Sequence, residues 1–310
     1  MSNDLNQVLK SRALNKWGLF WVVTAPISLA MVIAMSVEDL SKGSGVSSMI
    51  QLSVRCAVPW LYIAFAASSL QVLFPGHFSR WLLRNRKYFG MCFAAAMAWQ
   101  GLFILWMVTL HTDYYVNEVY VLRDAIEGVG GYAFLFAMTV TSFPKGRRLL
   151  NARQWRMLHL SGIYFLWAYA FSVYWWSLFY YSNPVPLDYI YYVAGLAAWV
   201  LRAAAWHVKR ARAAARESRQ ASVHPLARFA AGALVGAGLI AAAMGASWRG
   251  TAEQYLYGYA LTEAPELYLP YWPFEPFLSL AVILLGVALL RAGNPAAGQT
   301  AAADRARAAS

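Results

Sequence analysis

Apolar residues in this chain fall in long unbroken runs. They neither alternate with polar ones nor form a single stripe. Eight stretches reach or approach the roughly 20 apolar residues that a helix needs to cross a bilayer. They lie at 17–36, 56–75, 88–110, 128–144, 160–181, 189–208, 229–248 and 273–290. Continuous runs read as helices, because strands that face lipid alternate in polarity. The fourth stretch is short, with glycine and aromatics, and the eighth opens on Pro273, Glu275 and Pro276. Arg202 stands near the end of the sixth, where a long stem can snorkel to the headgroups. The pattern predicts an all-α fold: a polytopic membrane helix bundle of about eight transmembrane helices.

Composition supports that class. The chain is 60% hydrophobic and only 13% charged, a smaller charged share than soluble domains carry. Its net charge of +12 does not point to nucleic acid, because the charges sit in short alternate loops and not on one face. With the N-terminus in the cytoplasm, 22 of the 26 Lys and Arg residues fall on the inner side and 11 of the 14 acids on the outer side. Positive residues collect on the cytoplasmic side of membrane proteins, so the asymmetry predicts eight spans with both termini cytoplasmic. One span more or fewer would invert every later loop. The first run has no small-residue cleavage site at its end and reads as a retained span. Cys56 and Cys92 lie in apolar runs and read as buried small side chains.

The segments between runs suggest a division. Residues 1–16 form a cytoplasmic N-terminal segment, and 17–208 hold six spans. The basic linker 209–228 is expected to extend span six as a helix near anionic headgroups. Residues 229–290 add a two-helix unit, and 291–310 form a polar, Ala-rich tail expected to be disordered. Span seven carries Gly232 and Gly236 in one row and Gly238, Ala242 and Ala246 in another, spacings that permit close helix packing. The outer loop 249–276 holds Tyr255, Tyr257, Tyr259, Tyr268, Tyr271 and Trp272. It reads either as an interfacial aromatic belt or as a docking surface for a membrane or periplasmic partner.

Four landmarks carry a resemblance. Arg55 stands near the outer start of span two, preceded by Val54 where the relatives have glycine. Arg86, Lys87 and Gly90 open span three; Thr141 and Ser142 end span four; Trp155, Leu158 and His159 open span five. In this order and spacing, over about residues 50–185, the chain resembles the ferric reductase-like transmembrane domain superfamily. Within it, the likeness is greatest to the haem-bearing membrane subunits of bacterial periplasmic methionine sulfoxide reductase systems. The resemblance implies a multi-pass protein of the bacterial inner membrane and b-type haem between spans three and five. It also implies a histidine ten residues after Gly90 and another thirteen after His159, which here are Gln100 and Ser172. At about 1.5 Å per residue both positions lie about 20 Å in from the inner edge. Their depths agree, but neither residue is a usual haem ligand.

His159 remains. One reading makes it the axial ligand of a single haem b, with Gly90 opposite offering no ligand; the other makes it an interfacial histidine bonded to a neighbour, with no cofactor. Gln100 can bond across the bundle. Arg55 can reach the headgroups, or meet a haem propionate, a quinone carbonyl or an anionic headgroup. His111, at the outer end of span three, could bind haem or metal only with a partner that the sequence does not offer, and His77, His207 and His224 on the cytoplasmic side share no short metal-ligand spacing. No nucleotide-binding signature is present, so electrons would come from a separate flavoprotein or a quinol. Two functions follow as expectations. One is an oxidoreductase electron-transfer subunit with haem ligation reduced or lost. The other is a haem-free membrane scaffold or partner subunit of a membrane complex. A transporter or lipid-modifying enzyme fits less well, since the spans hold no mid-bilayer acid and show no inverted repeat.

Overall fold

The computed structural model describes residues 7–179, 183–216, 225–248 and 275–292, and among them all regular structure is helical, with no strand. The long helices are α1 (Trp17–Val37), α2 (Gly43–Leu73), α3 (His77–Leu110), α4 (Leu122–Val140), α5 (Ala152–Phe179), α6 (Pro186–Arg216), α7 (Pro225–Met244) and α8 (Leu278–Ala292). A helix covers most of each expected apolar stretch. By length and composition, α1, α2, α3 and α7 can cross a membrane, and Leu278–Leu290 is a shorter apolar helix. The chain is therefore compatible with an integral membrane protein. The remaining helices are less apolar because they carry charge or many Trp and Tyr residues: Arg123, Asp124 and Glu127 in α4, and four Trp and three Tyr in α5.

Several helices begin earlier than their apolar runs. Helix α2 starts at Gly43, because its polar first turns pack against their neighbours. A methyl on Gly43 would stand 2.3 Å from the Tyr114 ring, so only glycine fits there. Met31 of α1, Val46 and Met49 of α2, and Phe103 and Met107 of α3 form one buried cluster at that end. Helix α3 starts at His77, where Ser79 accepts a hydrogen bond from the Gly76 N–H and donates to the Phe74 carbonyl. Its first turns hold the N-terminal segment. Trp81 Nε1 donates to the Leu14 carbonyl at 2.8 Å, and the fully buried Asn85 accepts from the Lys16 N–H at 2.9 Å. A second cluster, Leu19, Ala64, Ala67, Leu82 and Phe89, ties α1, α2 and α3 together there.

The chain divides into two compact units, Met1–Tyr174 with Val185–Arg202, and Trp175–Pro184 with Ala203–Ser310. The boundaries cut α5 between Tyr174 and Trp175 and α6 between Arg202 and Ala203. Helix α6 runs to Arg216, as expected of the linker's first part, while 217–224 lie outside the described residues. In the first unit α5 is joined to α2 by the stacked rings of Phe65 and Trp167, 5.3 Å apart. Trp167 Nε1 donates to the Gly195 carbonyl of α6 at 3.0 Å. In the second unit α7 packs on α8 through one of the two small-residue rows. A methyl on Gly238 would lie 2.5 Å from Ile283 and 2.8 Å from the Ser279 carbonyl, and Ala242 is buried. Gly232 and Gly236 face open space. Most of the aromatic loop (249–274) and of the tail (293–310) lies outside the described residues.

Candidate functional site

Three of the four sequence landmarks converge on one cavity of about 660 Å³ in the first unit. Helix α3 brings Arg86, Lys87 and Gly90 to its wall, the end of α4 brings Thr141 and Ser142, and α5 brings Trp155 and His159. Helix geometry explains the grouping: Trp155 and His159 are four residues apart and so share one face of α5. Their rings lie 4.3 Å apart. Trp155 Nε1 donates to the Thr141 carbonyl at 3.1 Å, which fixes the start of α5 against the end of α4. Gly90 leaves its stretch of wall open, since a methyl there would meet no atom within 4 Å.

His159 already has a partner. Its Nε2 lies 3.0 Å from the Thr141 hydroxyl. That hydroxyl also lies 2.7 Å from the Ala137 carbonyl. A Thr141 hydroxyl turned to the Ala137 carbonyl accepts from Nε2, and one turned to His159 donates to it, so the roles in this pair follow the tautomer of the imidazole. Ligation of a metal through Nε2 would require this bond to break.

The cavity is strongly basic. Arg86, Lys87, Arg147, Arg156 and Arg202 all line it, and no carboxylate among the described residues does. None of the five has a carboxylate partner among the described residues. Arg86, Arg147 and Arg202 are half-buried, whereas Lys87 and Arg156 are exposed. Three are braced against aromatic faces: Lys87 Nζ lies 5.2 Å from the Phe143 ring, the Arg147 guanidinium 5.0 Å from Trp155, and that of Arg202 4.3 Å from Phe65 and 4.6 Å from Tyr164. Arg202 Nη1 donates to the Phe65 carbonyl at 3.2 Å, and this residue turns inward to line the cavity. At an effective dielectric constant of about 20, like unit charges about 8 Å apart repel by about 2 kcal/mol. Such a cluster favours an anion.

No protein family, characterised protein or solved structure matches this chain. The reading of the site therefore rests on its own residues.

The other candidate residues are placed elsewhere. Gln100 accepts a hydrogen bond from the Tyr132 hydroxyl of α4 at 2.8 Å, across the bundle from α3. Ser172 donates to the Tyr169 carbonyl within α5 at 2.9 Å. Neither borders the cavity. Arg55 stands in the thirteenth position of α2, not near the helix start, and its carbonyl accepts from the Tyr191 hydroxyl at 2.8 Å. His111 Nε2 lies 3.1 Å from the Leu40 carbonyl. Among the described residues no three His, Cys, Asp or Glu side chains group to hold a metal ion, and Cys56 and Cys92 are free thiols. Sequence reasoning did not assign Arg147, Arg156 and Arg202 to the site. The one signal for Arg202 was an arginine inside an apolar run with no acid near it.

Proposed function

We propose that the chain is an integral membrane protein of the ferric reductase-like type, related to b-type cytochrome subunits, in which haem ligation has been reduced or lost. The bonding of Gln100 and Ser172 carries this reading. At the depth where the resemblance calls for two opposed histidines, both side chains are committed to protein partners. In the eight-span arrangement with both termini cytoplasmic, all five cavity cations come from segments on the inner side. The cavity then opens at the cytoplasmic end of a bundle in the bacterial inner membrane.

The residues present match haem b only in part: were it bound here, His159 would hold the iron and Arg86 and Arg202 would meet the propionates, while Gly90 would supply no second ligand. When bound, such a group supplies one-electron transfer between a separate donor and an acceptor. The residues themselves bind and orient: Trp155 packs against the imidazole, and Arg86 and Arg147 hold positive charge near it. His159 must first release Thr141.

The second reading is a haem-free scaffold or partner subunit, and the Thr141–His159 bond favours it, because that bond keeps Nε2 occupied without any metal. An absorption spectrum of the detergent-purified protein, oxidised and dithionite-reduced, separates the two. A Soret band lost in His159→Ala supports one-haem electron transfer. No band, in protein made with ample haem supply, supports the scaffold.

A further inference from the structure

We propose that the cavity beside His159 holds the headgroup of an anionic phospholipid, with a two-phosphate headgroup such as diphosphatidylglycerol the best match. This rests on the haem-free reading, in which His159 keeps its bond to Thr141. Five cations and no carboxylate line the cavity, so a neutral or zwitterionic group leaves most of the charge uncompensated. A single phosphate neutralises one or two of them, and two phosphates neutralise more. Basic pockets between membrane helices take such headgroups.

The walls add the second half of the argument. Leu61, Phe93, Leu135, Met138, Ile163 and Leu166 line the same cavity as the cations. A ligand that fits both is an amphiphile, with anionic oxygens at one end and hydrocarbon at the other. Free phosphate or a soluble nucleotide offers no hydrocarbon to that wall. The guanidinium groups are already oriented. Arg147 is held by the Leu150 carbonyl and Trp155, and Arg202 by the Phe65 carbonyl and two rings, so little side-chain freedom is lost when a phosphate arrives. The volume of about 660 Å³ lies within the range of roughly 300–1,000 Å³ typical of small-ligand sites.

The test is native mass spectrometry of the full-length protein in detergent, titrated with diphosphatidylglycerol, phosphatidylcholine or inorganic phosphate. The expected result is selective retention of diphosphatidylglycerol that inorganic phosphate does not displace. Arg86→Gln with Arg202→Gln should weaken it about 30-fold. Arg148→Gln with Arg153→Gln removes the same charge from exposed positions near the cavity and should leave retention within about twofold. Arg86→Lys with Arg202→Lys, which keeps the charge, should recover most of the binding and shows that loss is not misfolding. Equal retention of the two lipids overturns the proposal, as does equal loss in the cavity and exposed-site variants. Displacement by inorganic phosphate reassigns the site to a free anion and also overturns it. The spectrum of the same sample is recorded first. A Soret band there overturns the haem-free reading, whereas no band together with no lipid selectivity overturns the lipid proposal alone.

Discussion

Two places in the first unit invite the same chemistry and have been built in opposite ways. Around Gln100 and Ser172 the polar atoms are paired inside the protein, with a tyrosine hydroxyl in one case and a main-chain carbonyl in the other. Around His159 the protein leaves an open wall at Gly90 and positive charge with no carboxylate to offset it. A polar group satisfied within the fold contributes to packing; a cluster of like charges held together costs stability unless something from outside meets it. The first place is packed into the bundle, and the second is an open, basic cavity.

The largest effect that bears on this contrast is expected at Gly162, on α5 beside the cavity. A methyl there would stand 2.3 Å from Met138 Sδ and 3.1 Å from Phe134. Gly162→Leu should cost about 3 kcal/mol by overpacking α4 against α5, read as a lower melting temperature in detergent. Asn85→Ala comes next. It strands the Lys16 N–H and releases Asn15, at about 2 kcal/mol, and protease clipping of the N-terminal segment should accelerate. Gln100→Leu should cost only about 1 kcal/mol. A double-mutant cycle with Tyr132→Phe should return coupling of about 0.6 kcal/mol, which confirms the pair as a packing bond. Gly90→Ala should leave stability nearly unchanged, because the wall is open there. A bulky Gly90→Trp should abolish ligand retention at the same melting temperature, which is the signature of a site and not of a core.

Smallest is a pH effect far from the cavity, in the turn between α1 and α2. The Ser41 hydroxyl and then the Lys42 ammonium, 2.9 Å away, hold the Asp39 carboxyl down at about 2, from an ordinary 3.8. A depressed carboxylate stabilises the fold above its unfolded value and loses that contribution as pH falls towards 2. This one is fully exposed, so the change should be slight. Carboxyl chemical shifts should show Ser41→Ala raising the titration further than Lys42→Ala does.

Much of the fold was legible in the chain because long apolar runs leave little choice but helix. The helix starts were not. Gly43 to Arg55 read as an outer loop because serine and glycine mask a helix whose buried face is Val46, Met49 and Ser53. At the site, the landmarks Arg86, Gly90, Thr141, Trp155 and His159 were visible in sequence order, and the structure brings them to one wall. What spacing could not reveal was which way Arg202 turns. That depends on Phe65 and Tyr164, each more than 35 residues away along the chain. Nor could it show that the Thr141 hydroxyl sits on His159 Nε2.

The most direct test of the proposal that Gln100 and Ser172 hold no haem is a pyridine haemochrome assay of purified His159→Ala protein, expressed with ample haem supply. With Gln100 and Ser172 unable to ligate iron, the account predicts no haem in that variant. Haem retained at a fixed ratio to protein without His159 would contradict it, since some other pair of residues would then be holding the iron.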